Sequence, residues 1–226
     1  MEIATQSGPA TVELDAKAFD GLDGEAARFL FVLTHGAGGG VTAPDLLAAR
    51  RAAAGLGGLV ARVLQPYRVR GARAPGSPDK QDAAWLEIVG ALKELAPGIP
   101  LVQGGRSNGA RVACRTATAA GASGVVALAF PLHPPGQPGK SRAEELRGAG
   151  VPVLVVNGER DPFGIPARKD VNRLAVVPGE THALKGHSAV IAEAVGQWLP
   201  TVLAGPTGSA APTSGPASGA SRRVKR

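Results

Sequence analysis

Pro100-Leu101-Val102-Gln103-Gly104-Gly105-Arg106-Ser107-Asn108-Gly109-Ala110-Arg111 is the stretch on which the fold turns. The apolar run at 100–103 predicts a strand, and residues 108–119 read as a helix. Between them, Gly105-Arg106-Ser107-Asn108-Gly109 fits G-x-S-x-G. That spacing lifts a serine above the end of a sheet on a tight strand-to-helix turn. Glycines suit such a turn because the backbones approach too closely for a Cβ. Gly and Ser are common in loops, so the pentapeptide gains its meaning from the strand before it and the helix after it. A serine so placed needs a base, an acid to orient that base, and donors for an oxyanion. The remainder of the chain is read for those parts.

Outward from this stretch, strands and helices alternate. Residues 11–14 alternate apolar and polar, as an edge strand does. Residues 28–33 form a near-continuous apolar run, followed by His35-Gly36-Ala37-Gly38-Gly39-Gly40. Residues 44–54 read as helix and 58–64 as strand, leading to Gln65-Pro66-Tyr67-Arg68 and a loop rich in Arg, Gly and Pro. Ser77-Pro78 is a helix-start signal. Trp85, Ile88, Val89, Leu92 and Leu95 then lie on one helical face. Further strands are expected at 124–130, 151–156 and 173–177. Ser141 and Glu144 form a capping-box pattern for a short helix, and Ser188 is expected to cap a last one. Short apolar strands alternating with longer helices predict an α/β fold: a mostly parallel, doubly wound sheet with helices on both faces. Only about twenty residues separate 130 from 151, so no large cap domain is expected there.

Reactive groups in such sheets gather at the carboxyl ends of the strands. Four predicted strand ends carry capable residues: His35 with its glycines, Ser107, Asp161 and His182. Ser107, Asp161, His182 is the chain order of an α/β-hydrolase triad. His182 would take the serine proton and pass it to the leaving group, while Asp161 would fix the imidazole tautomer and stabilise its charged form. The backbone N–H of Asn108 is one expected oxyanion donor, with Ala37 or Gly38 supplying the second. Glu159 is the substitute acid and His187 the competing histidine, and His35 reads as a brace for the oxyanion loop. Arg106, Arg111 and His133 are candidates for substrate contact, with tying loops together the alternative for Arg111.

Composition narrows the function classes. The 226 residues include 44% hydrophobic and 19% charged residues, ordinary for one globular domain. The net charge is +7, but Arg222, Arg223, Lys225 and Arg226 hold four of those charges, leaving +3 on the rest. With aromatics at 4%, the basic, aromatic-studded face of a nucleic-acid binder is not indicated. A single cysteine, Cys114, excludes an intrachain disulfide framework and fits a reducing compartment, so a cytoplasmic location is expected. Its place on the helix after Ser107 suggests a small buried residue. No signal pattern or bilayer-length apolar run is found. The glycines at 36, 38, 39 and 40 leave Val41 where G-x-G-x-x-G needs glycine, against a dinucleotide site. No cofactor or metal is expected. Residues 1–204 read as the domain. Residues 205–226, rich in Gly, Ala, Pro, Ser and Thr with a basic end, read as a disordered tail.

His35-Gly36-Ala37-Gly38-Gly39, Gly104-Gly105-Arg106-Ser107-Asn108-Gly109-Ala110-Arg111, Phe130-Pro131-Leu132-His133-Pro134-Pro135-Gly136 and Asp161-Pro162-Phe163-Gly164 together resemble a small α/β-hydrolase group. It is the group of testis-expressed protein thirty and the hydrolase-like subunit of the NSL histone-acetyltransferase complex, near dienelactone hydrolases. The resemblance covers about residues 12–203 and implies Ser107, Asp161 and His182 as the triad. Asn108 stands where that group usually has Met, and Thr181 where it usually has Asp before the histidine. It implies a hydrolase fold and no defined substrate. Two functions follow as expectations: a serine hydrolase acting on a small ester or related acyl compound, or a non-catalytic binding or scaffold protein that kept the fold.

Overall fold

A computed structural model describes residues 1–15 and 27–204. The strands are β1 (Glu2–Ile3), β2 (Ala10–Leu14), β3 (Phe29–Thr34), β4 (Gly58–Leu64), β5 (Leu101–Arg106), β6 (Gly124–Leu128), β7 (Val153–Gly158) and β8 (Arg173–Val177). The α-helices are α1 (Pro44–Gly55), α2 (Pro66–Val69), α3 (Pro78–Leu95), α4 (Asn108–Ala120), α5 (Ala143–Arg147) and α6 (Ser188–Leu203). The strands join in one sheet in the order β1-β2-β4-β3-β5-β6-β7-β8. From β4 to β8 every pairing is parallel. β1 and β2 add an antiparallel edge, and β1 has no counterpart in the sequence reading. Two residues are too few to carry a periodic signal.

All six residues of β3 are buried. Its alternating side chains feed two cores, as a strand covered on both faces requires. Leu30 and Val32 pack with Trp85, Ile88, Val89 and Leu92 of α3 and Ala110, Ala113 and Ala117 of α4. Phe29, Phe31 and Leu33 pack with Leu46 and Ala49 of α1 and Ile191, Val195 and Trp198 of α6. On that same face, Gly104 of β5 has no room for a Cβ: one would sit 2.4 Å from the Val126 carbonyl oxygen and 3.2 Å from Leu33 Cδ2. The buried Gln103 of β5 accepts from Trp85 Nε1 at 2.9 Å and donates to the Ala113 carbonyl at 2.7 Å. A polar group in the core is thereby satisfied.

Several element ends differ from the sequence reading. β5 runs on through Arg106 because sheet pairing holds the glycines extended. β6 stops at Leu128, where Ala129 turns the chain at φ 47°. Leu95 of the expected apolar face is 43% exposed at the last turn of α3. Ser77 is the N-cap of α3 without a side-chain cap bond, and Ser188 is the first residue of α6, with His187 before it. Ser141 Oγ accepts from the Ala143 N–H, while Glu144 pairs with Arg147 rather than closing a capping box. Residues 129–152, between β6 and β7, hold only the five-residue α5, so no cap domain is inserted there. No helix among the described residues is long and apolar enough to cross a membrane. The tail expected at 205–226 lies outside the described residues.

Candidate active site

Parallel pairing brings the carboxyl ends of β3, β5, β7 and β8 to one edge of the sheet, and the candidate residues sit there. Ser107 falls between the last residue of β5 and the first of α4, at φ 51° and ψ −113°. A non-glycine residue at positive φ is uncommon and marks local strain. The surrounding backbone enforces it. A Cβ on Gly105 would lie 2.7 Å from the Thr34 carbonyl oxygen and the Gly109 carbonyl carbon; one on Gly109 would lie 2.7 Å from the His35 carbonyl oxygen. The two glycines are thus required by the approach of α4 to the end of β3. The Ser107 N–H donates to the Leu128 carbonyl at 2.9 Å, which fixes the turn against β6.

His182 lies in the loop after β8. Its Nε2 is 2.9 Å from Ser107 Oγ and its Nδ1 is 2.9 Å from Asp161 Oδ2. The three residues are 75 and 21 positions apart along the chain, yet form one continuous line of hydrogen bonds. Asp161 follows β7. Its side chain is fully buried, with Oδ1 accepting from the Phe163 N–H at 2.9 Å and Oδ2 also accepting from Asn157 Nδ2 at 3.2 Å. Phe163 in turn stands over the His182 ring, with centroids 4.3 Å apart. Asn157 holds the end of β6 as well, accepting from the Phe130 N–H and donating to the Phe130 carbonyl. The acid and histidine loops are joined by backbone, Arg160 N–H to the Glu180 carbonyl at 2.8 Å.

The alternatives lie elsewhere. His187 pairs with Glu180 at 3.0 Å on the exposed side of its loop and holds the Glu180 carboxyl below its usual range. Glu159 accepts from the Gly179 N–H at 2.8 Å.

Gly36 backs directly onto the serine: a Cβ there would sit 3.2 Å from Ser107 Cβ. The 35–40 loop is held by the corner between β4 and α2. His35 Nδ1 contacts the Gly36 carbonyl at 2.8 Å, and its Nε2 accepts from the Gln65 N–H at 3.0 Å. This pairing needs a neutral imidazole, and burial pushes the His35 pKa down accordingly. Tyr67 donates to the Ala37 carbonyl at 3.1 Å, and Arg68 donates to the Gly39 carbonyl at 3.1 Å. Burial raises the Tyr67 pKa to about 12, so this hydroxyl remains a donor. The N–H groups of Ala37 and Gly38 have no acceptor among the described residues. Asn108, first in α4, presents its N–H among those a helix start leaves without an intrahelical acceptor. Its side chain turns away to Gln81 Oε1 at 2.7 Å.

The residues expected to meet substrate have protein partners. Arg106 donates from Nε to Asp45 Oδ2 at 2.8 Å and from Nη2 to the His182 carbonyl at 2.6 Å. Its guanidinium therefore braces the histidine loop against α1. Asp45 is fully buried; burial raises its carboxyl pKa, and Arg106 opposes that rise. His133 contacts the Pro134 carbonyl through Nδ1, and its ring packs on Gly164 so closely that a Cβ there would come within 2.9 Å of Nε2. Arg111 ties α4 to α5 through both carboxylate oxygens of Glu145. Cys114 is buried on α4, and burial pushes its thiol pKa up. The sequence reading missed Asp45, Asn157, Gln65 and Gln81. Asn157 stands at a strand end beside Asp161 and carried a usable signal. Asp45 carried none, because an acid in a helix's first turn is ordinarily solvated.

Residues 27–186 match the α/β-hydrolase domain family, and the chain belongs to it. No curated protein matches. Among solved structures, the chain is similar to Est1E from Butyrivibrio proteoclasticus with ferulic acid bound, at 18% identity and TM-score 0.73 over 90% of this chain and 99% of that one. It is also similar to an α/β serine hydrolase without a lid from Xanthomonas campestris, at 19% identity and TM-score 0.66 over 90% and 94%. Dienelactone hydrolase from Anabaena variabilis aligns at 16% identity and TM-score 0.68 over 90% and 96%.

Proposed function

We propose that this chain is a serine hydrolase that cleaves a small ester or related acyl compound through Ser107, His182 and Asp161. The observation that carries the reading is the pair of 2.9 Å contacts linking Ser107 Oγ, the His182 ring and Asp161 Oδ2 at the strand ends. In this mechanism Ser107 Oγ attacks the acyl carbon while its proton passes to His182 Nε2. The charge on the former carbonyl oxygen is received by the N–H groups of Asn108 and of Ala37 or Gly38. As the tetrahedral adduct collapses, His182 returns the proton to the leaving oxygen, giving an acyl-Ser107 ester and an alcohol. Water then attacks with His182 again as base, and the acid and free serine are released. Asp161 keeps Nδ1 protonated and steadies the imidazolium.

Small substrates are favoured by the short β6–β7 connection, and by the ferulic acid bound to Est1E and the dienelactone hydrolase among structures of the same fold. We assign the chain to the testis-expressed protein thirty and NSL-subunit group on the four segments quoted above, and take residues 1–204 as the catalytic unit. A fluorophosphonate probe is expected to label the protein at Ser107, and Ser107→Ala to abolish both labelling and turnover of 4-nitrophenyl acetate. Labelling that survives in the mutant refutes the assignment. No labelling and no turnover in the wild type would point to a non-catalytic binding role.

A further inference from the structure

The Arg-rich loop after α2 and the first turns of α3 enclose a pocket of about 250 Å³ that the proposed chemistry leaves unused. Its place follows from the sheet order. Asp161 and His182 sit on the β7 and β8 side of Ser107, whereas this pocket stands at the end of β4, beyond the β3 loop on the opposite side. Two strand spacings separate β4 from β5, which sets the pocket on the order of 10 Å from the serine. Its wall is coupled to the oxyanion loops. Tyr67 holds the Ala37 carbonyl, Gln65 holds His35, and Gln81 holds the Asn108 side chain.

The chemistry of the wall is one-sided. The side chains of Gln65, Tyr67 and Gln81 are already bonded to protein groups, Gln81 also donating to the Gly76 and Ser77 carbonyls. Among the described residues, the charged ones in the lining are Arg70 and Lys80, and none is an acid. Arg70 Nη1 contacts the Ser7 carbonyl, and the rest of its fork has no partner among the described residues. Lys80 has no hydrogen-bond or ion-pair partner among the described residues. Pro66, Pro75 and Ala84 supply an apolar body. A pocket with an apolar body and two cationic side chains in its lining suits a chain that ends in an anion.

We propose that this pocket takes the acyl chain of substrates bearing a terminal carboxylate, with Arg70 and Lys80 as the carboxylate-binding groups. The proposal rests on the serine-hydrolase reading for placement of the ester carbonyl at Ser107. The test compares the 4-nitrophenyl half-ester of adipate with 4-nitrophenyl hexanoate, a neutral ester of equal chain length, at low and high salt. The wild type is expected to show higher kcat/KM on the adipate half-ester, with the preference shrinking as salt rises. Both cations are exposed, so the double variant Arg70→Gln/Lys80→Gln should lower the adipate-to-hexanoate ratio by about five- to tenfold. Arg173→Gln, which removes a charge from β8 at the far edge of the sheet, should leave the ratio in place. Calorimetric binding of both esters to Ser107→Ala, which leaves them intact, gives the same comparison without chemistry. Equal preference in the wild type, or a ratio that survives the double variant, overturns the pocket assignment while ester turnover by the wild type keeps the hydrolase reading. If neither ester turns over, the hydrolase reading fails, and the binding comparison alone decides the pocket.

Discussion

Arg106→Met tests whether the histidine loop is braced by a buried ion pair. Arg106 is 16% exposed at its side chain and Asp45 is fully buried, and they meet at 2.8 Å. The variant keeps much of the apolar stem and removes the guanidinium. Asp45 would then be a buried carboxylate with the Leu46 N–H at 2.9 Å as a remaining donor. Stranding one partner of a buried pair costs about 3–5 kcal/mol. In a domain of this size that corresponds to a fall in Tm of roughly 6–20 °C. The loss has a defined pH dependence. Burial raises the folded-state Asp45 pKa above its unfolded value, and the variant also lacks the opposing effect of Arg106. The penalty is absent below the unfolded carboxylate pKa of about 3.9, grows as pH rises toward the raised folded value, and is complete above it. The deficit should therefore be largest near pH 8 and shrink toward pH 4. Adding Asp45→Asn to Arg106→Met should recover much of it, since a neutral amide has less to lose on burial. Urea unfolding followed by the fluorescence of the buried Trp85 and Trp198 measures each variant across pH. A loss under about 1 kcal/mol at pH 8, or one that does not vary with pH, refutes the reasoning.

Three further outcomes are expected. Gly109→Ala should lower both Tm and ester turnover, because its Cβ would meet the His35 and Thr34 carbonyls at 2.7 and 2.8 Å. Gly90→Ala, on an open face of α3, should instead stabilise by up to about 1 kcal/mol, and equal effects would refute the steric account. His182→Ala should lower kcat on an activated ester by roughly a thousandfold or more, and His187→Ala should change it little; steady-state kinetics on the two variants decides. His35 is held neutral by burial, so its folded pKa lies below the unfolded value. Its share of stability is intact above about pH 6.5 and is lost as pH falls toward the lowered folded value. A His35→Gln variant should lack that part of the slope in unfolding free energy against pH, and an unchanged slope would assign it to other groups.

Much of the candidate site was legible because its parts lie at strand ends. Apolar runs of four to eight residues mark buried parallel strands, and polar residues just after them mark the reactive edge of the sheet. Gly105 and Gly109 announced a tight turn, and the sheet shows which carbonyls exclude a side chain there. Arg106 flanks the serine in the chain and His133 follows a predicted strand, which makes both candidates for substrate contact. In the fold the Arg106 guanidinium meets Asp45 and the His182 carbonyl, and His133 Nδ1 contacts the Pro134 carbonyl. Nothing local distinguishes an arginine that awaits a ligand from one that neutralises an acid 61 residues away.

Taken by itself, the amino-acid sequence determined the α/β class, the strand-to-helix turn at Ser107 and the chain order Ser, Asp, His. Those are local or ordinal features, set by hydrophobic period and by glycine spacing. The tertiary structure decided which groups touch. It brought His182 rather than His187 to the serine, turned Arg106 onto Asp45, and set Arg70 and Lys80 around the pocket beyond the 35–40 loop. These depend on sheet order, register and burial, which arise from contacts between residues far apart in the chain. No window along the sequence contains them.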